Sequence, residues 1–425
     1  MDMKKPISLL FAVVLFTTSL MAQGKRLWVL HTPGEMTEYD SITFAAKQTV
    51  KVPAEVVGSP QGLLVNHSGQ MLFAAPLSLP LSEDDLADAQ KIWFWDGHAA
   101  RFLAREAARS TATTGSNVVI TESAPVPRLS ADGMQLLWFA NQARRLQRDG
   151  VDLSTRTTWS AWQTDLAGAD RKDLVSVALP ECSCPSGSCE ESCPYGETWV
   201  PEDGVDKFFL LTQLVANQTQ PVYKSTSLYE ESAGKWSATT VDPPLRGVLD
   251  APSADAILEA VPDTGCCGWS NQSDDQTLLR IRGKTVTIFD ERETYKNPDY
   301  DVSFYSENGK LSPDLDSVAF TVVATAQPNK PIQLAEQGQA NPEESQRIRK
   351  ALTDLPAVEV RSVDVKSGEG SRRIAFLTHA TLVGWISDKE IVVVEEHLLV
   401  AYDVAKGTHR KSNVRVEDAA HVFLR

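Results

Sequence analysis

The segment ECSCPSGSCEESCPYG, beginning at Glu181, holds four of the chain's six cysteines: Cys182, Cys184, Cys189 and Cys193. The other two, Cys266 and Cys267, are adjacent in TGCCGWSNQSDD. Clustered thiols can bind a metal, exchange electrons or cross-link the chain. Zinc ribbons use paired Cys-x2-Cys units. Here the spacing is Cys-x-Cys-x4-Cys-x3-Cys, so disulfides are the expected chemistry for all six, with no metal and no cofactor. The segment has almost no apolar side chains to pack, and cross-links supply the order that packing cannot. Adjacent cysteines close only a strained ring with each other. At least one bridge is therefore expected from the Cys182–Cys193 segment to Cys266 or Cys267.

Other catalytic patterns are missing. Gly283-Lys284-Thr285 has the ending of a phosphate loop, but that motif needs Gly where Leu278 stands. It reads as a hairpin turn. There is no Gly-x-Ser-x-Gly elbow and no His-Glu-x-x-His. His31, His67, His98, His379, His397, His409 and His421 are scattered without metal spacing. The acidic run NQSDDQ from Asn271 lacks the ordered ligands of a calcium loop and reads as solvated. The residues singled out for contact with a partner are Trp269, Asp274 and Asp275, then Arg144, Arg145 and Arg148.

The elements that must position these residues are strands. A polar turn followed by an apolar, β-prone run recurs as LSADGMQLLWFA from Leu129, LSPDLDSVAFTV from Leu311 and VNHSGQMLFAAP from Val65. Looser copies start at Val200, Ala251 and Gly384. Strand–turn–strand patterns alternate with them, from Lys91, Ser160, Thr226, Leu278, Val360 and Leu399. Two hairpin patterns per unit describe a four-stranded β-propeller blade.

The fold class expected is an all-β propeller of four-stranded blades, seven by the leading count, with six or eight as the alternatives. Six are placed at 56–110, 124–180, 197–243, 245–297, 302–376 and 377–415. The seventh joins 26–53 with the end of the chain, 414–425, and Glu38-Tyr39-Asp40 matches Ala401-Tyr402-Asp403. Closing the sheet from both termini removes exposed edges. The cysteine segment, 181–196, links two blades. A long insertion at 326–358 carries NPEESQRIRKALTDL, which reads as a short helix with Pro342 in its first turn. The stretches from Pro76, Asn141 and Asp263 read as long loops on the same rim as the cysteines.

The Leu-Ser-x-Asp-Gly turn and its apolar strand, sharpest at Leu129–Trp138 and Leu311–Phe320, resemble the WD40-like (PD40) repeats of the TolB-type propeller family. The resemblance implies an exported propeller. TolB's preceding α/β domain has no room here, so the resemblance covers the propeller only and implies nothing of TolB's envelope role.

The N-terminus MDMKKPISLLFAVVLFTTSLMAQGKR has the basic start, apolar core and small residues of a secretory signal, with cleavage expected near Ala22. Its apolar run is too short to span a bilayer, and no later stretch reads as a span. Export agrees with oxidised cysteines. The net charge of −15, without a basic stripe, argues against nucleic acid. The resulting expectation is a periplasmic or secreted monomer. It would bind a protein, peptide or glycan on a disulfide-braced rim, without catalysis. The alternative is a propeller hydrolase or lyase with its active site at the central axis, which leaves no linear motif.

Overall fold

The computed structural model describes residues 25–425 except 32–33, 53–62, 67, 77–89, 97, 113–116, 185–192, 202–203, 217–219, 262–275, 296–301, 327–341 and 365–369. Residues 1–24, read from the sequence as a signal, and the stretches read as loops after Pro76 and around Trp269 therefore lie outside the described residues.

The chain is an all-β propeller of four-stranded antiparallel blades. Sheet 1 holds Arg26–His31, Glu35–Asp40, Ala46–Lys51 and Val422–Leu424; sheet 2 holds Leu63–Val65, Met71–Pro76, Gln90–Trp95 and Ala100–Glu106. Sheet 4 holds Tyr195–Trp199, Lys207–Ala216, Gln220–Ser232 and Lys235–Val241. Sheet 5 holds Val248–Ser253, Ala256–Val261, Gln276–Ile281 and Lys284–Asp290. Sheet 6 holds Val302–Leu311, Ser317–Ala326, Ala357–Val363 and Ser371–Thr378. Sheet 7 holds Ala380–Trp385, Glu390–Glu395, Leu398–Asp403 and Thr408–Arg415.

Sheet 3 departs from the expected pattern. It has seven strands: Arg109–Ala112, Val118–Glu122, Val126–Leu129, Gln135–Arg148, Val151–Asp165, Lys172–Ala178 and Cys182–Ser183. The expectation of seven four-stranded blades is thus corrected: among the described residues six sheets are four-stranded blades and this one is larger. The stretch from Asn141 is not a loop. It is a long hairpin turning at Asp149-Gly150, whose φ values of +54° and +78° suit a two-residue turn between twisted strands. The helix within the long insertion runs Pro342–Asp354.

The cores lie between sheets. Along Lys207–Ala216, Phe208 and Leu210 pack with Trp159 and Phe139 of sheet 3, while Phe209 and Leu211 pack with Ala251 and Ile257 of sheet 5. Successive side chains of a strand point to opposite faces. A strand buried on both faces must therefore be apolar throughout, as KFFLL is. Similar clusters join sheets 1 and 2, 2 and 3, 5 and 6, 6 and 7, and 7 and 1.

The recurring turns have a common chemistry. Ser130 Oγ donates to Asp132 Oδ1 at 2.6 Å and accepts from Gln135 N at 3.0 Å. Ser312 repeats this with Asp314 at 2.6 Å and Ser317 N at 2.9 Å. Asn66 plays the same part in sheet 2, accepting from Gln70 N at 2.9 Å. Each side chain replaces a turn hydrogen bond and aims the next residues into their strand.

The Tyr-Asp match is explained the same way. Asp40 Oδ1 accepts from Ile42 N at 3.0 Å and Thr43 N at 2.9 Å; Asp403 Oδ1 accepts from Ala405 N at 3.1 Å and Lys406 N at 2.9 Å. The backbone donor of Thr43, together with Lys47, holds the Asp40 carboxyl at about 2, below its ordinary 3.8. A depressed carboxyl stabilises the folded state fully above its unfolded value and loses that contribution as pH falls through the folded one. A carboxyl NMR titration should place the Asp40 midpoint near 2, and Asp40→Asn should flatten the acid limb of stability between about pH 4 and 2. An Asp40 midpoint at the ordinary value would remove this account of the turn.

Candidate functional site

The hairpin of sheet 3 has two parts. Its root belongs to the blade: Val126–Leu129 pairs with the first half of Gln135–Arg148, and Lys172–Ala178 with the second half of Val151–Asp165. Its outer half continues beyond the blade as an arm. There, Gln142 to Leu146 pair with Glu122 to Val118, and Arg109–Ala112 pairs behind that strand.

The cysteine segment braces the other side of the arm. Thr155 and Ser154 pair with Cys182 and Ser183, and Cys184 N donates to Leu153 O at 2.9 Å. Ser154 Oγ donates to Glu181 Oε1 at 3.0 Å. Cys182 is bonded to Cys193 with their Cα atoms 5.5 Å apart. Cys184 is also disulfide-bonded, to a partner outside the described residues. Cys189, Cys266 and Cys267 lie outside them too, so the expected bridge to the second cluster is neither present nor absent among the described residues.

Paired residues across an antiparallel ladder share a face. Arg144 is opposite Arg156, and Arg148 is opposite Val151. These four and Leu146 are exposed, with Leu146 at 43 % and Val151 at 48 %. No carboxylate among the described residues pairs with Arg144, Arg148 or Arg156. Arg145 differs. It points to the opposite face, 3.6 Å from the buried Asp152, whose other oxygen accepts from Gln147 Nε2 at 2.8 Å. Of the three arginines singled out from the sequence, Arg144 and Arg148 present themselves to solvent and Arg145 braces the arm. Trp269, Asp274 and Asp275 lie outside the described residues.

A cleft of about 380 Å³ opens at the root of the arm, between sheets 2 and 3. One wall is the continuation of the arginine-bearing face: Trp138 opposite Trp162, and Ala140 opposite Ser160. The two indoles are 5° from parallel, with centroids 6.4 Å apart. Trp138 Nε1 donates to Thr164 Oγ1 at 3.0 Å, fixing that ring. Arg171 lies 4.2 Å from the Trp162 ring centroid and donates to Asp173 at 2.8 Å. The far wall brings Glu106, Arg109, Glu122 and Ser123. Burial pushes the Glu106 carboxyl up, and Arg109 opposes that shift. Glu122 accepts from Gln142 Nε2 at 2.6 Å.

Sequence reading missed this cleft. Its lining comes from separate segments, 106–109, 122–125, 138–142 and 160–171, which no spacing in the sequence links. Among the described residues no group of three His, Cys, Asp or Glu gathers as metal ligands, and no helix is long and apolar enough to cross a membrane.

No family model matches the chain, and no curated protein matches it. Solved structures do. The β-propeller domain of the Trilobed protease from Pyrococcus furiosus is 11 % identical with a TM-score of 0.42, over 91 % of this chain and 92 % of that one. Apo AztD from Citrobacter koseri is 10 % identical with a TM-score of 0.33, over 93 % and 96 %. Porphyromonas gingivalis dipeptidyl peptidase 4 is 9 % identical with a TM-score of 0.40, over 97 % and 62 %. At these levels the likeness says nothing about what this chain binds or catalyses.

Proposed function

We propose that this chain is an exported, non-enzymatic binding propeller that holds an anionic protein segment against the exposed face of its braced arm. The reading includes closure of the propeller by the terminal strands, and a repeat of the PD40 kind that the Ser-x-Asp turns resemble. The observation that carries it is the arm itself. A hairpin leaves its blade, is pinned on both sides, and carries Arg144, Arg148 and Arg156 around Leu146 and Val151. On a chain of net charge −15 this is a local reversal of sign. Such a patch steers an acidic partner while the rest of the surface repels it. Leu146, Val151 and Leu153 offer the apolar contact that fixes a docked segment. The Cys182–Cys193 bond and an N-terminus of signal type both suit an oxidising compartment.

The test is a photo-crosslinking residue at position 146 in the full chain, expressed where its disulfides form. A discrete adduct with one acidic protein is expected. Reversing Arg144, Arg148 and Arg156 to Glu should reduce it about tenfold or more, and salt should weaken the wild-type adduct. An adduct indifferent to both changes would sink the proposal.

A further inference from the structure

Every sheet has an edge strand that closes a hairpin, and such an edge offers unpaired backbone groups to another strand. In sheets 1, 2, 3, 5, 6 and 7 the register between that strand and its neighbour breaks. A break of this kind bends the strand and twists the edge away. Charge blunts several of these edges too: Lys47 and Lys51 in sheet 1, Arg372 and Arg373 in sheet 6, Arg410 and Lys411 in sheet 7. Sheet 4 has neither device. Lys235–Val241 pairs with residues 226–232 one for one, without a shift. Its sequence, KWSATTV, has one charge, at the first residue, and no proline. Ser237, Ala238, Thr239 and Thr240 are exposed.

The direction of its free backbone groups follows from the hairpin. Ala233 and Gly234 turn with φ values of +52° and +76°, as a two-residue turn between twisted strands requires. The flanking Ser232 and Lys235 therefore exchange hydrogen bonds, and the exchange recurs at every second pair. Trp236, Ala238 and Thr240 fall between, with their N–H and C=O groups directed outward. Glu231, opposite Trp236, agrees: its N–H turns the other way and donates to Asp206 O at 2.8 Å. Among the described residues no strand receives the outward groups.

We propose that a second copy of this chain pairs here, edge to edge and antiparallel, about a two-fold axis at Ala238. In that register Ala238 meets Ala238 of the second copy, and Trp236 meets Thr240 of the second copy. Outward groups thus meet only outward groups, and each such pair exchanges two hydrogen bonds. The side chains match as well. Trp236 lies against a β-branched residue, Ser237 against Thr239, and Lys235 against Val241. Pairs of the first two kinds stabilise a sheet, and no like charges stand opposite each other. The same strand serves both copies, as a closed two-fold dimer requires. A foreign strand would have to supply this complementarity; a second copy already carries it. This dimer takes the place of the monomer expected from the sequence.

This edge belongs to sheet 4 and not to the arm, and the two contacts fail separately. Sedimentation of the full oxidised chain should show a dimer forming between about 1 and 100 μM. Salt should favour it, because each copy carries a net charge of −15 and the paired strands bring almost none of it. Salt acts in the opposite sense on the arm adduct. Ala238→Lys and Ala238→Glu should each weaken the dimer about fivefold or more, since each sets like charges face to face at the axis. Mixed, these two variants should form a one-to-one dimer. Ala238→Pro removes an outward N–H and none of the hairpin's own bonds, and should weaken the dimer about tenfold. If it unfolds, the Lys and Glu variants decide. Leu146→Ser on the arm should leave the dimer unchanged. A monomer throughout that range, a dimer that the Lys and Glu variants keep, or variants that do not pair on mixing, overturns the proposal.

Discussion

A chain ending at Asp418 should lose most of its stability, although it lacks only the last seven residues. Val422–Leu424 pairs antiparallel with Arg26–His31: Leu27 faces Leu424, Trp28 faces Phe423 and Val29 faces Val422. The strand is buried on both faces. Val422 and Leu424 pack with Val392, Leu399 and Val414 of sheet 7, while Phe423 packs with Trp28, Met71 and Phe73 toward sheet 2. Arg425 extends the connection, donating through Nε to Val65 O at 2.8 Å. Each buried apolar side chain contributes about 1.5–3 kcal/mol. Three of them approach the 5–15 kcal/mol that separates a typical domain from its unfolded state.

The truncated chain should therefore unfold at a far lower denaturant concentration, or fail to accumulate. Phe423→Ala is the milder form and should cost about 3–5 kcal/mol. Denaturation of both, followed by tryptophan fluorescence, measures this. A truncation within about 1 kcal/mol of the full chain would mean that the terminal strand is an ornament on a sheet already complete.

That strand was legible in the sequence for a simple reason. A leftover of three strand patterns at one end and one at the other has few partners except each other. The turns were legible because Ser130, Ser312 and Asp40 do local chemistry, satisfied within five residues. The arm was not recognised, although its signal was present. Asp149-Gly150 is flanked by alternating residues, with Arg144, Leu146 and Arg148 on one side and Val151 and Leu153 on the other. Its richness in Arg and Gln suggested a loop. The arm is held by Val118–Glu122 and Cys182–Ser183, so its order depends on neighbours rather than on its own apolar content. Tertiary pairing overrode local composition there. The cleft is a harder case. Glu106 and Trp162 meet only because two sheets abut, and no spacing in the chain encodes that meeting.

The second large effect is expected at Glu359, a carboxylate with no exposed surface in the middle of sheet 6. Arg361 Nε donates to its Oε1 at 2.5 Å, and Arg373 Nη2 to its Oε2 at 2.7 Å. Arg361 and Arg373 stand opposite each other on neighbouring strands, so the two guanidiniums close over one carboxylate. Arg361 also donates to Ser371 Oγ at 3.2 Å, and Ser371 Oγ donates to Thr287 O of sheet 5 at 2.9 Å. The charge thus helps to hold two blades together. Removing one member of a buried ion pair leaves the other charge without compensation, which costs about 3–5 kcal/mol.

Glu359→Ala should reach that range, because it strands two guanidiniums in a half-buried place. Arg373→Ala should cost about 1 kcal/mol or less, since its side chain is 44 % exposed and water replaces the contact. The double variant should be less destabilised than the sum of the two. In it, only Arg361, at 18 % exposure, is left without its carboxylate. A denaturation cycle over the four proteins reads the coupling directly. Additive losses would show that the arginines only shield Glu359 from solvent. A Glu359→Ala loss below about 1 kcal/mol would show that the site hydrates freely and that the blades do not depend on it.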